Sequence, residues 1–305
     1  MKIDINVRRR LAFVKYLYQI ATEQSYRPQP LCSASILTFH DAVEIFLQLS
    51  SEFLDVSKNN ITFLEYWEII SPKLSEMGKA KLTQKEAMKR LNKARVGLKH
   101  YGNLVTKIDI ESFRASTTNF FEENIKLVFD IDISDISLID LVQNEDTKSN
   151  LKLSKDLIKD GKIEDAFDKI ALAFKQLIDA YEDKKRGRYF QSPFFIGEDL
   201  TFIGHNISMA ADGLEGKLSE FVRVVKSSIS ALQNAVRILG LGIDYRRYVK
   251  FKLLVPTVTK MLAGNYVITR WNGRNKSIPK KEDAEFCINF VIESAVLLQD
   301  FDFDV

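Results

Sequence analysis

The sequence predicts a predominantly all-α protein of two domains. Three observations carry that prediction. Apolar residues recur at three- and four-residue steps along most of the chain, the spacing that puts them on one face of a helix. Capping and stop residues bracket several of those runs. A length of 305 residues exceeds the roughly 250 to 300 at which single cores stop growing, which predicts a division into two.

The elements follow in order. "MKIDINVRRRLAFVKYLYQI" opens with a basic run, but Lys15 interrupts the apolar residues after it and their spacing is helical, so it reads as a first helix and not a leader. In "SASILTFHDAVEIFLQLSSEFL" the residues Ile36, Phe39, Val43, Phe46, Leu47, Phe53 and Leu54 form a wide stripe, which predicts a central core helix. "ITFLEYWEIISPKL" predicts a shorter helix stopped near Pro72, because proline disfavours helical geometry in the residue before it. "TQKEAMKRLNKARVGLKHYGN" offers a capping box, Thr83 with Glu86, then an inward ridge of Ala87, Leu91, Ala94, Leu98 and Tyr101, and a stop at Gly102-Asn103. "DIESFRASTTNFFEENIKLVF" is a further amphipathic helix. The acidic, β-branched stretch after it has weak periodicity and turn-forming residues, and places the boundary near residue 145, dividing the chain into 1–145 and 146–305.

Beyond the boundary, two helices meet at Asp160-Gly161, with Ala166, Ile170, Ala173, Phe174 and Leu177 on the inner side. The pair is similar to one tetratricopeptide unit, but no second copy follows at a fixed period. A long helix is expected to end in the Gly240 to Gly242 region. "YVKFKLLVPTVTK" and "NYVITRW" read as β-rich stretches joined at Gly264-Asn265 in a small hairpin. A last helix is expected from about Lys281 through Leu298.

Composition narrows the function classes. Hydrophobic residues at 46% and charged residues at 28% fit a globular chain and not a disordered one. Apolar runs such as "FVIESAVLLQ" stop short of the roughly 20 residues a membrane span needs, so no membrane partner is expected. A net charge of +3 does not by itself call for a polyanion, so any nucleic-acid contact must come from local basic patches. Cys32 and Cys287 stand far apart among apolar residues, which fits reduced thiols and a cytoplasmic setting. Three scattered histidines and those two cysteines give no zinc spacing, and no Walker loop, dinucleotide fingerprint or nucleophile elbow appears. No cofactor or metal is expected.

Arg95 and His100 in "RVGLKH" match an arginine followed after four to six residues by a histidine near a helix end. With the long helix "LTFHDAVEIFLQL" before it and Glu44 on that helix's polar edge, the segment from roughly 10 to 130 resembles the HEPN superfamily (higher eukaryote and prokaryote nucleotide-binding domain). The resemblance implies an all-α bundle and metal-independent RNA cleavage, with His100 as proton carrier and Arg95 as the clamp on the phosphorane. Histidine moves protons near neutral pH, and arginine offers a permanently charged planar fork to phosphate oxygens. Lys99, Asn92, Glu44 and His40 are the supporting candidates, His40 also reading as a core-edge histidine hydrogen-bonded locally. Val96 stands where many catalytic members carry a polar residue, commonly asparagine.

Five residues at 100° each put Arg95 and His100 about 140° apart around a regular helix. A shared site then requires a distortion at Gly97 or two copies facing each other, and the resemblance implies the second, a homodimer. A further basic cluster, Lys184, Lys185, Arg186 and Arg188 beside Tyr189, is a candidate RNA grip by charge and stacking, and "RWNGRNKSIPKK" is another basic loop. The expected function is a homodimeric endoribonuclease of the kind used in microbial defence or toxin systems, with RNA as partner and a regulatory protein as a further one. The alternative is a non-catalytic HEPN-like RNA- or protein-binding module whose C-terminal domain carries the main function.

Overall fold

The computed structural model of the chain describes residues 3–186, 192–197, 216–261, 263–270 and 280–303. It is predominantly all-α, with ten α-helices and one two-stranded sheet among the described residues. No described helix is long and apolar enough to cross a membrane. The chain divides into two compact units, Met1–Leu141 and Val142–Val305, where the sequence had set the boundary at 145. The difference has a local cause: Leu138 and Ile139, in a one-turn helix, are buried in the core with the first unit, whose first helix they touch.

The first unit holds α1 (Ile5–Ser25), α2 (Ser35–Phe53), α3 (Glu65–Glu76), α4 (Lys85–Tyr101) and α5 (Lys107–Phe129). α2 is the centre and touches each of the other four. Its apolar stripe is wide enough to serve several neighbours at once: Ile36, Phe39, Ala42, Val43, Phe46 and Leu47 are all fully buried. Phe46 meets Phe120 and Phe121 of α5 edge-on, with ring centroids 5.4 and 5.8 Å away. Such edge contacts add to area burial because a ring's positive rim meets its neighbour's negative face. Lys15, which interrupts the apolar pattern of α1, sends its ammonium to the carbonyls of Ile133 and Ile136, 2.8 and 2.7 Å away. Those carbonyls lie in the irregular stretch after α5, so the lysine ties that stretch to α1.

Three local expectations are corrected. α3 does not stop at Pro72 but continues to Glu76. The missing N–H removes one helical bond, while the buried face of Trp67, Ile70, Ser71 and Leu74 runs straight across it, and burial prevails. The Thr83–Glu86 capping box does not form, since α4 begins at Lys85 after Gln84 in a left-handed conformation, φ 62°. Tertiary partners take Thr83 instead. Its N–H donates to Asn124 Oδ1 at 3.0 Å, its hydroxyl accepts from Asn124 Nδ2 at 3.1 Å, and its carbonyl accepts from Trp67 Nε1 at 2.9 Å. Tyr101 does not extend the inward ridge of α4 but stands 75% exposed.

The second unit holds α6 (Glu145–Lys159), α7 (Ile163–Lys185), α8 (Gly216–Gly240), α9 (Tyr245–Leu254), the strands β1 (Thr257–Lys260) and β2 (Tyr266–Thr269), and α10 (Lys281–Asp300). α6 and α7 form the hairpin expected at Asp160-Gly161, with Gly161 at φ 75°. Ala166, Ile170, Ala173, Phe174 and Leu177 are all buried. β1 and β2 pair antiparallel, Thr257 opposite Thr269, across the turn at Gly264. "YVKFKLL", read as strand, is α9: Asp244 accepts a hydrogen bond from the backbone N–H of Arg247 and starts a helix whose Tyr248 and Phe251 are buried. Phe251 and Phe290 lie 4.9 and 5.3 Å from Phe174 and 4.7 Å from each other, and this triangle of rings joins α7, α9 and α10. Arg237 of α8 reaches buried Glu182 of α7 with two nitrogens, 2.5 and 2.7 Å away.

Candidate functional site

α4 positions most of the candidate residues. It is helical without interruption from Lys85 to Tyr101, so Gly97 introduces no distortion. The helix closes at Gly102, φ 68°, where Gly102 N–H donates to Leu98 O and Asn103 N–H to Gly97 O, each at 3.1 Å. A side chain at Gly102 would be strained by that positive φ, which is why a glycine ends the helix there. Gly97 thus acts through its carbonyl, in the stop. Arg95 and His100 keep the wide angular separation of a regular helix, and no hydrogen bond or ion pair joins them among the described residues. His100 and Lys99 are exposed, whereas Asn92 and Arg95 are half-buried.

Arg95 and Asn92 influence His40 of α2. That histidine is 2% exposed and stacks on Phe63, with ring centroids 4.4 Å apart and planes inclined by 25°. The local hydrogen bond expected for it is not made: among the described residues neither Nδ1 nor Nε2, both buried, has a partner in hydrogen-bond geometry, although the Asn92 amide stands near enough to act on the ring. Nδ1 lies 3.7 Å from Asp41 Oδ1 and 3.7 Å from Glu44 Oε2, too far for a hydrogen bond. Burial pushes the His40 pKa below its ordinary value, and the charge of Arg95 pushes the same way; Glu44, Asp41 and the amide of Asn92 oppose them. The structure therefore groups His40, Glu44, Asn92 and Arg95 between α2 and α4, and leaves Lys99 and His100 in solvent at the end of α4.

The chain also shows a feature the sequence reading missed. Between Lys79 and His100 stand eight lysines and arginines against one acidic residue, Glu86. Lys89, Arg90, Lys93 and Lys99 are exposed on α4. Lys89 comes within 3.8 Å of Glu86 and Lys85 within 3.4 Å of Glu68, while Arg90, Lys93 and Lys99 form no ion pair among the described residues. Lys89, Lys93 and His100 follow at steps of four and seven, which places them on one face. Exposed Tyr101, Leu104 and Ile108 continue from its end. A local charge count over this helix would have found the patch; the nearly neutral whole-chain balance concealed it.

Of the second basic cluster, Lys184, Lys185 and Arg186 are among the described residues. Lys184 is exposed, but Arg186 pairs with Asp183 at 3.0 Å. Lys185 is 2% exposed, its ammonium on the Asp302 carboxylate and the Phe303 carbonyl and 4.5 Å above the Phe303 ring, so it is withdrawn from any ligand. Arg188 and Tyr189 lie outside the described residues, as does most of "RWNGRNKSIPKK". Its first residue, Arg270, sits across Asp165 and Asp168 at 2.6 and 2.5 Å and fastens the hairpin to α7. A cavity of about 310 Å³ opens in the second unit, lined among others by Phe174, Ile178, Phe251, Lys175, Arg237 and Lys252.

Comparisons with protein-family models, with curated proteins and with solved structures gave no match.

Proposed function

We propose that the first unit is a HEPN-like, metal-independent endoribonuclease that works as a homodimer. The observation that carries this reading is the basic, exposed face of α4, ending in His100 and Tyr101 with Arg95 half-buried beside it. Cations free of local carboxylate partners attract a phosphate backbone, and an exposed aromatic ring offers a base something to stack on. Arg95 clamps the scissile phosphate as negative charge builds on it. One His100 takes the proton from the ribose 2′-OH, which attacks the adjacent phosphorus. The His100 of a second copy protonates the departing 5′-oxygen, leaving a 2′,3′-cyclic phosphate. The unbroken geometry of α4 favours this division of labour, because one helix cannot turn Arg95 and His100 toward the same phosphate. In this reading Lys99 adds phosphate affinity, Asn92, Glu44 and His40 orient Arg95, and the setting is a cytoplasmic defence or toxin system under a regulatory protein.

The test uses the purified chain, His100→Ala and Arg95→Ala with total cellular RNA in EDTA, with oligomeric state measured alongside. The expected result is cleavage by a dimeric wild type, cyclic phosphate ends, and a loss of about 100-fold or more in each variant. Equal cleavage by His100→Ala, an active monomer, or an inert dimer overturns the proposal. The cavity in the second unit favours one alternative, a binding module whose second unit carries the function; an inert wild-type dimer would turn attention there.

A further inference from the structure

We infer that His40, Asp41 and Glu44 form a binding site for one divalent transition-metal ion, of the class that zinc represents. The three residues follow one another on the central helix α2, at positions one and four after the histidine, so a rigid element presents them together. One ligand atom from each lies within 4.8 Å of the other two. Nδ1 is 3.7 Å from one oxygen of each carboxylate. That separation is too long for a hydrogen bond but close to that of two atoms bound to one ion: metal–ligand bonds of about 2.0 to 2.2 Å leave tetrahedral neighbours roughly 3.3 to 3.6 Å apart, and small rotations of the exposed carboxylates close the remainder.

The imidazole supplies the independent argument. Among the described residues this side chain, 2% exposed, has no hydrogen-bond partner in good geometry at either ring nitrogen, and buried polar groups are otherwise almost always paired. Stacking on Phe63 fixes the ring with Nδ1 toward the two carboxylates. With the proton on Nε2, Nδ1 offers its lone pair between them. The carboxylate side chains are 56% and 45% exposed, which gives the ion an entry path and leaves positions for water. One nitrogen with two carboxylates suits zinc or manganese better than the all-oxygen sets calcium and magnesium prefer. The charge of Arg95 opposes the ion but leaves a net negative pair of carboxylates to hold it.

The inference shares His40 and Glu44 with the ribonuclease reading, but its readout is metal binding and not cleavage, so the failure of one is distinguishable from the failure of the other. The chelator-stripped full chain is titrated with Zn²⁺ in competition with a chromophoric chelator, in parallel with Asp41→Asn, Glu44→Gln, His40→Gln and His100→Ala, each checked for helical content by circular dichroism. One equivalent is expected to bind the wild type and His100→Ala alike. Asp41→Asn and Glu44→Gln, which change exposed carboxylates without touching the core, should each weaken binding at least about tenfold. Mn²⁺ binding with the same dependence supports the site equally. No stoichiometric binding of either ion, or binding that survives Glu44→Gln and Asp41→Asn unchanged, overturns it.

Discussion

His40 is a polar ring placed where an apolar one would fit, and its protonation is tied to folding. Its pKa is depressed in the fold by burial, against the pull of Asp41 and Glu44 and with the push of Arg95, while the unfolded chain titrates near the ordinary 6.5. Above that value the ring is neutral in both states and the fold keeps its full stability. As pH falls through 6.5 the unfolded chain takes up the proton first, and stability declines until the folded pKa is reached. Denaturation midpoints measured at about pH 7.5 and 5.5 should therefore fall in the wild type, and fall less in His40→Leu. Equal declines in the two proteins would show that the ring is not held neutral. Buried Glu182 follows the opposite rule, since its charge is tolerated because half-buried Arg237 satisfies it. Lys185 shows how far local sequence can mislead: a lysine in a basic run becomes part of the interior when chain-terminal residues supply an acceptor and a ring.

Among the elements, α4 shows most clearly which signals are local. Its C-terminal stop is a local matter of Gly102 and Asn103 bonding back to Leu98 and Gly97, and the sequence read it correctly, because a residue free to take positive φ closes a helix that way. Its N-terminal cap was read incorrectly. Asn124, 41 residues later, holds Thr83 through a donor and an acceptor and bonds the Phe120 carbonyl with the same amide. Replacing Asn124 with alanine should leave the part-buried Thr83 N–H without its acceptor, lowering stability by about 1 to 2 kcal/mol. Thermal denaturation measures this directly; an unchanged midpoint would mean that the Asn124 bonds contribute nothing net. Pro72 and α9 teach the same lesson. A run of apolar residues across the proline, and an aspartate cap before a β-rich composition, outweigh the intrinsic preferences of the residues between them.

At the scale of the molecule, each unit closes its own core. The first is built around α2 and an aromatic group drawn from α1, α2, α3 and α5; the second around Phe174, Phe251 and Phe290. A chain of residues 1–141 should then fold by itself, with helical circular dichroism and a single cooperative thermal transition. A non-cooperative melt would show that its core is incomplete without the rest. The same fragment would carry Arg95, His100 and the basic face of α4.

The sequence by itself determined the helical class, the existence and approximate ends of most helices, the stop of α4, the α6–α7 hairpin and the β-turn at Gly264. These depend on periodicity and backbone freedom, which are properties of neighbours in the chain. Only the tertiary structure decided that Asn124 caps Thr83, that Lys185 is interior, and that His40 lies without hydrogen bonds between two carboxylates and near Arg95. Each of those outcomes depends on groups distant in sequence arriving together, and on the local removal of water that makes a polar atom's partners count.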